Sequence, residues 1–199
     1  MIPGSRLMSA LLAAALAACA SAPLHFHTLV AGPADPASEP IAPAASIDIS
    51  VVHVPPAADR LELVVRRNDS EASILNEELW VAPLTEELRS ALWLELRREL
   101  RSATATNRSP PRIAIRLDVR RFEGMPGRYA LIDASWRLSV SSPTVNRVME
   151  CVNHLVEPVG NGYPALVRGY QRAVAALAQN MAAAAREAQA DAAHGCVPS

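Results

Sequence analysis

Two runs near the middle of the chain, "RIAIRLDVRRF" from Arg112 and "YALIDASWRLSV" from Tyr129, alternate between apolar and polar residues. In the first, Ile113, Ile115, Leu117 and Val119 point one way and Arg112, Arg116, Asp118 and Arg120 the other. In the second, Ile132, Ala134, Trp136, Leu138 and Val140 stand against Asp133, Ser135, Arg137 and Ser139. A period of two sustained this long predicts strands with one dry and one wet face. The link "EGMPGR", with Gly124, Pro126 and Gly127, has turn chemistry, so the runs pair as an antiparallel hairpin. On its wet face Arg116 and Arg120 are placed to meet Asp133. The dry face requires a cover.

Two segments have the period to supply it. "PLTEELRSALWLELRREL" sets Pro83 at a helix start, Glu86 and Glu87 near the positive end, and Arg97, Arg98 and Arg101 near the negative end. Leu84, Leu88, Ala91, Leu92 and Leu96 recur at helical spacing, with Trp93 at the edge of their stripe as a rim residue. A second, longer helix is predicted from about Pro164, its stripe being Leu166, Tyr170, Val174, Leu177, Met181 and Ala184. Further strands are read at "LHFHTLV", at Ile47–Val51 up to Pro55-Pro56, at Leu61–Arg66 and at Val145–Val156. Residues 31–45, with Pro33, Pro36, Pro40 and Pro43, form a long loop. The order β, loop, β, β, helix, β-β-β meander, helix predicts an α+β two-layer sandwich, a mostly antiparallel sheet with two main helices packed on one face.

The N-terminus reads as an export signal. Met1–Arg6 carries one positive charge, and Leu7–Ala18 is an apolar run of 12 residues. That is too short for a bilayer span, which takes about 20. "LAAC", Leu16 to Cys19, resembles a bacterial lipobox, whose Cys becomes the acylated first residue of the mature protein. An ordinary cleavage site with Ala18 and Ala20 at its small positions is the alternative. With acylation, residues 1–18 are a lipoprotein signal peptide and 19–199 one periplasmic domain, since several acyl chains suffice for stable anchoring. Ala20, where inner-membrane retention would favour Asp, points to the outer membrane. Cleavage removes only Arg6 of the 19 basic side chains, all of them Arg, and none of the 20 acidic ones. A slightly acidic chain gives no reason to expect nucleic acid. Cys151 and Cys196 remain, either a disulfide pinning the C-terminal tail or two separate thiols.

Catalytic patterns are missing. There is no Gly-x-Ser-x-Gly elbow, no phosphate-cradling Gly loop and no His-Glu-x-x-His, so no catalytic residue, metal site or cofactor is assigned. His25 and His27 share a strand face and could offer two metal ligands, but no nearby acid or thiol cluster completes a site. His53, His154 and His194 are isolated. Glu77-Glu78 and Glu86-Glu87 are explained by solubility and the helix dipole. Asn68-Asp69-Ser70 is a polar turn.

"ELWVAPL" from Glu78 joins a strand-like approach to the first helix, with Trp80 placed to plug that junction. Together with "HTL" at His27, "RLDVRRFEG", "SWRL" and "GYPALVRGYQRAVAAL", in that order between about Leu24 and Ala184, it resembles the PqiC-like family. Those are auxiliary lipoproteins of ABC-type transport systems that work with MCE proteins. The resemblance implies a non-catalytic, outer-membrane-anchored accessory on the periplasmic side, docking with an MCE-domain protein and ABC transporter components in lipid transport that supports envelope integrity. It admits a homo-oligomer. Trp80, Pro83 and Leu84 are its signature, structural before partner-contacting. Trp93 and the Arg112, Arg116, Arg120 row are weaker docking candidates. His25 and His27 stand where the family carries aromatics, which favours packing over metal. Cys151 and Cys196 lie outside its pattern. A structural or assembly lipoprotein without a role in lipid transfer is the competing reading, and an envelope hydrolase is disfavoured.

Overall fold

The computed structural model describes residues 22–32, 45–100 and 110–190. The signal segment, Cys19, Cys196, His194 and most of the Pro-rich stretch lie outside them. Among the described residues seven strands, β1 (His25–His27), β2 (Ser46–His53), β3 (Glu62–Arg66), β4 (Ala72–Trp80), β5 (Arg112–Met125), β6 (Tyr129–Ser141) and β7 (Asn146–Pro158), accompany two helices, α1 (Leu84–Glu99) and α2 (Tyr163–Gln189).

The fold is α+β, as the periodicities predict, but its strands divide into two sheets, ordered β2-β5-β6-β7 and β1-β4-β3. The β5-β6 hairpin forms the centre of the larger sheet, closed by a turn in which Gly127 takes φ 78°, a conformation that L side chains resist. Its predicted apolar rows are buried on both strands. Against that face lie α1 and α2, whose predicted stripes are also buried throughout. Two pairings, β2 with β5 and β1 with β4, are parallel. β4 is an additional strand, and residues 78–80 are its end, the strand-like approach that leads into α1.

A bulge between Val119 and Arg121 changes the hairpin's wet face. It leaves two consecutive arginines, Arg120 and Arg121, pointing outward and brings Phe122 back inward, which strict alternation would not do. Arg120 donates to Asp133 through Nε at 3.1 Å. Arg116 does not reach Asp133: it stands opposite Arg137, which pairs with Glu150 at 3.3 Å. Asn68 folds its turn as expected, its side-chain oxygen accepting from the Ser70 and Glu71 amides at 3.0 and 2.9 Å.

The inward Phe122 meets one residue from each neighbouring layer. It stacks on Tyr170 of α2, with centroids 4.2 Å apart and planes at 16°. Trp80 of β4 meets both rings edge-on, each at 6.2 Å. Such pairs contribute about 0.5–1.5 kcal/mol each beyond their buried area. Gly124 makes room for the arrangement, because a Cβ there would stand 2.4 Å from the Tyr170 hydroxyl and 2.5 Å from a Leu166 methyl. The hydroxyl is buried with no hydrogen-bond partner among the described residues. Burial first, then the charges of Glu123 and Tyr129, push its pKa well above the ordinary phenol value, so it stays protonated. Beside the cluster Glu123 bridges the sheets, accepting from Arg66 of β3 at 3.2 Å and from Arg121 at 3.0 Å.

Two substitutions separate the contributions of this cluster. Gly124→Val should destabilise the fold by about 1–3 kcal/mol through overpacking, read as a lower urea midpoint. Tyr170→Phe keeps the stack and deletes the lone hydroxyl, so stability should hold or rise by up to about 1 kcal/mol.

Candidate functional site

The segment that follows Cys19 is built into the domain. β1 lies parallel to β4, pairing His25 with Glu78, Phe26 with Leu79 and His27 with Trp80. The two imidazoles converge on one carboxylate, His27 Nε2 at 2.5 Å from one Glu78 oxygen and His25 Nδ1 at 3.1 Å from the other. Their H-x-H spacing thus serves a clasp between strands. Among the described residues no cluster of three or more His, Cys, Asp or Glu side chains is placed to hold a metal.

The next two residues are held by a second carboxylate. Glu87, in the first turn of α1 and only 5% exposed, accepts from the Thr28 hydroxyl at 2.8 Å and the Leu29 amide at 2.7 Å. Burying an anion is costly unless hydrogen bonds and a favourable field compensate. Here the helix N-terminus adds positive potential to those two donors. Gln171 of α2 donates to the Thr28 carbonyl at 3.0 Å, and Leu29 inserts into the core. Arg98 donates to the Ala31 carbonyl at 3.3 Å. "HTL" is therefore gripped by β4, α1 and α2 together.

The doublet Glu86-Glu87 accordingly does more than serve solubility and the dipole. Leu84, Glu87, Leu88 and Ala91 lie on one buried helical face, and that spacing was the available signal for Glu87. Glu78 had none, since its partners are 53 and 51 residues away.

The signature residues are structural in placement. Trp80 belongs to the aromatic cluster, and Leu84 is in the core. Pro83 is exposed at the N-cap of α1, its carbonyl accepting from Glu86 and Glu87, while the Asp59 carboxylate caps the Thr85 amide at 3.0 Å. Trp93 is 37% exposed, with the Arg97 guanidinium 4.5 Å from its ring centroid. It borders a groove of about 520 Å³ between β2 and α1, with Ile47 and Ile49. On the opposite face of the larger sheet, Val51, His53, Arg116, Asp118 and Arg137 line a shallow depression of about 510 Å³. Arg112, exposed at the start of β5, stands opposite Ser141 outside that depression. Cys151 is buried in β7 and disulfide-bonded, its partner lying outside the described residues.

A family model described as "ABC-type transport auxiliary lipoprotein component" matches residues 27–182, beginning at the clasped His27. Among solved structures, an uncharacterized protein is 19% identical, with a TM-score of 0.58 over 83% of this chain and 99% of its own. A Xanthomonas campestris protein of the DUF330 family is 18% identical, with a TM-score of 0.55 over 85% of this chain and 98% of its own. At those identities the likeness is one of fold. No curated protein matches.

Glu87→Ala leaves the Leu29 amide and Thr28 hydroxyl without their acceptor. It should cost about 1–3 kcal/mol in urea unfolding and open the segment around Thr28 to limited proteolysis before the rest of the chain. Glu87→Gln retains an acceptor oxygen and should fall between the two.

Proposed function

The chain belongs to the family of ABC-type transport auxiliary lipoprotein components, and from that premise we propose a non-catalytic accessory role in lipid transport between the membranes. In this reading the mature chain, residues 19–199, is one periplasmic domain acylated on Cys19 and held at the periplasmic face of the outer membrane. There it docks with an MCE-domain protein and its ABC transporter components and supports envelope integrity. The observation that carries the reading is the family match from His27 onward, directly behind a lipobox-like "LAAC". The clasped N-terminal segment is in keeping with it, because an anchor works on a domain only through the residues that join them.

The covalent partner of Cys151 in this reading is Cys196, six residues after Ala190. The pairing ties the tail back onto β7.

Affinity purification from membranes, followed by mass spectrometry of proteins and lipids, tests the function. The expected result is an MCE-domain partner recovered together with phospholipid. Failure to recover that partner removes the MCE assignment, and a partner free of phospholipid favours a scaffold role. Cys19→Ala should move the protein to the soluble periplasmic fraction, and continued membrane fractionation would contradict anchoring by acylation. Non-reducing peptide mapping should give a linked peptide containing Cys151 and Cys196.

A further inference from the structure

Leu24, Phe26 and Val81, at 55%, 62% and 63% exposure, are the most exposed large apolar side chains among the described residues. They lie at one place in the fold. Strand alternation puts Leu24 and Phe26 on the side of β1 opposite His25 and His27. Phe26 is in register with Leu79, and Val81 follows Leu79 by two residues, its amide donating to the His27 carbonyl at 2.9 Å. The row occupies the face of the three-stranded sheet turned away from Trp80 and the core. On that face Glu62, opposite Leu79, is paired with Arg60 at 3.0 Å, and Glu77, two residues before Leu79, is exposed beside the row.

Scattered apolar residues on a surface are ordinary. Here the position is the argument. Cys19 is six residues before His25, and a chain of that length spans about 20 Å when fully extended. Because β1 is clasped into the domain through Glu78 and Glu87, nothing beyond those six residues can pay out as tether. A folded partner of even 100 residues has a radius of gyration of about 13 Å, too thick to enter such a gap. The interfacial zone of a bilayer fits it.

We propose that Leu24, Phe26 and Val81 form a membrane seat, entering the interface of the bilayer that holds the acyl chains and fixing the domain's orientation on it. The inference rests on acylation of Cys19. Acyl chains alone would leave the domain free to swivel. The seat adds contacts about 5–10 Å deep, the depth typical of interfacial apolar faces.

The test uses Phe26→Trp in the full acylated protein, reconstituted into phosphatidylethanolamine and phosphatidylglycerol vesicles with or without bromine on the acyl chains. Val152→Trp, on the exposed face of β7, is the control, and the unsubstituted protein corrects for Trp80, Trp93 and Trp136. The Phe26→Trp indole should be quenched about threefold more than the control, as expected for a side chain at interfacial depth. Equal quenching in protein that floats with the vesicles overturns the seat while leaving the anchor intact. A blue shift without bromine quenching identifies a protein occupant and likewise overturns it. An unacylated N-terminal peptide in the mass spectrum removes the anchor, and the seat with it.

Discussion

The stack of Phe122 on Tyr170, edged by Trp80, is the contact at which the two sheets and the long helix meet. Phe122 belongs to the larger sheet, Trp80 to the smaller and Tyr170 to the long helix. Each ring depends on a local device: a bulge that turns Phe122 inward, the parallel ladder that ends at Trp80, and a glycine that makes room for the Tyr170 hydroxyl. The consequence extends to the N-terminus. Trp80 is the register partner of His27, so the rings that join the sheets also position the strand nearest Cys19.

The clasp continues that logic with polar chemistry. Two carboxylates, Glu78 and Glu87, hold three consecutive residues, His27, Thr28 and Leu29, and the buried one sits where helix dipole and hydrogen bonds favour its charge. A floppy connection would have needed none of this. In the proposed reading, a firmly docked first strand means that attachment through Cys19 constrains where the domain's surfaces point. That is a useful property in a component that must meet a partner.

Elements with one dry face were legible in the sequence. The β5-β6 hairpin and both helices follow from a period of two or 3.6, because burial of one face imposes it. β4 was harder, since Asn76-Glu77-Glu78 interrupts its alternation and its parallel partner is some fifty residues distant. The wet-face pairing was half legible: Arg120 meets Asp133, whereas the bulge, invisible to strict alternation, leaves Arg116 opposite Arg137. At the candidate site, the ordered motifs did mark the right segments, and three of them meet in the aromatic cluster. That they meet could not be read from spacing, because it depends on how two sheets are set against one helix. Glu87 was readable from its place on the apolar stripe but was masked by its charge.

The claim on which the functional account most depends is that the chain is fixed to its domain from β1 onward. Amide hydrogen exchange on the full protein measures it directly. If the account is right, the Leu29 amide, bonded to Glu87, and the β1 amides that face β4 exchange as slowly as those of β4. Exchange of that segment at unprotected rates, with β4 still protected, would contradict it.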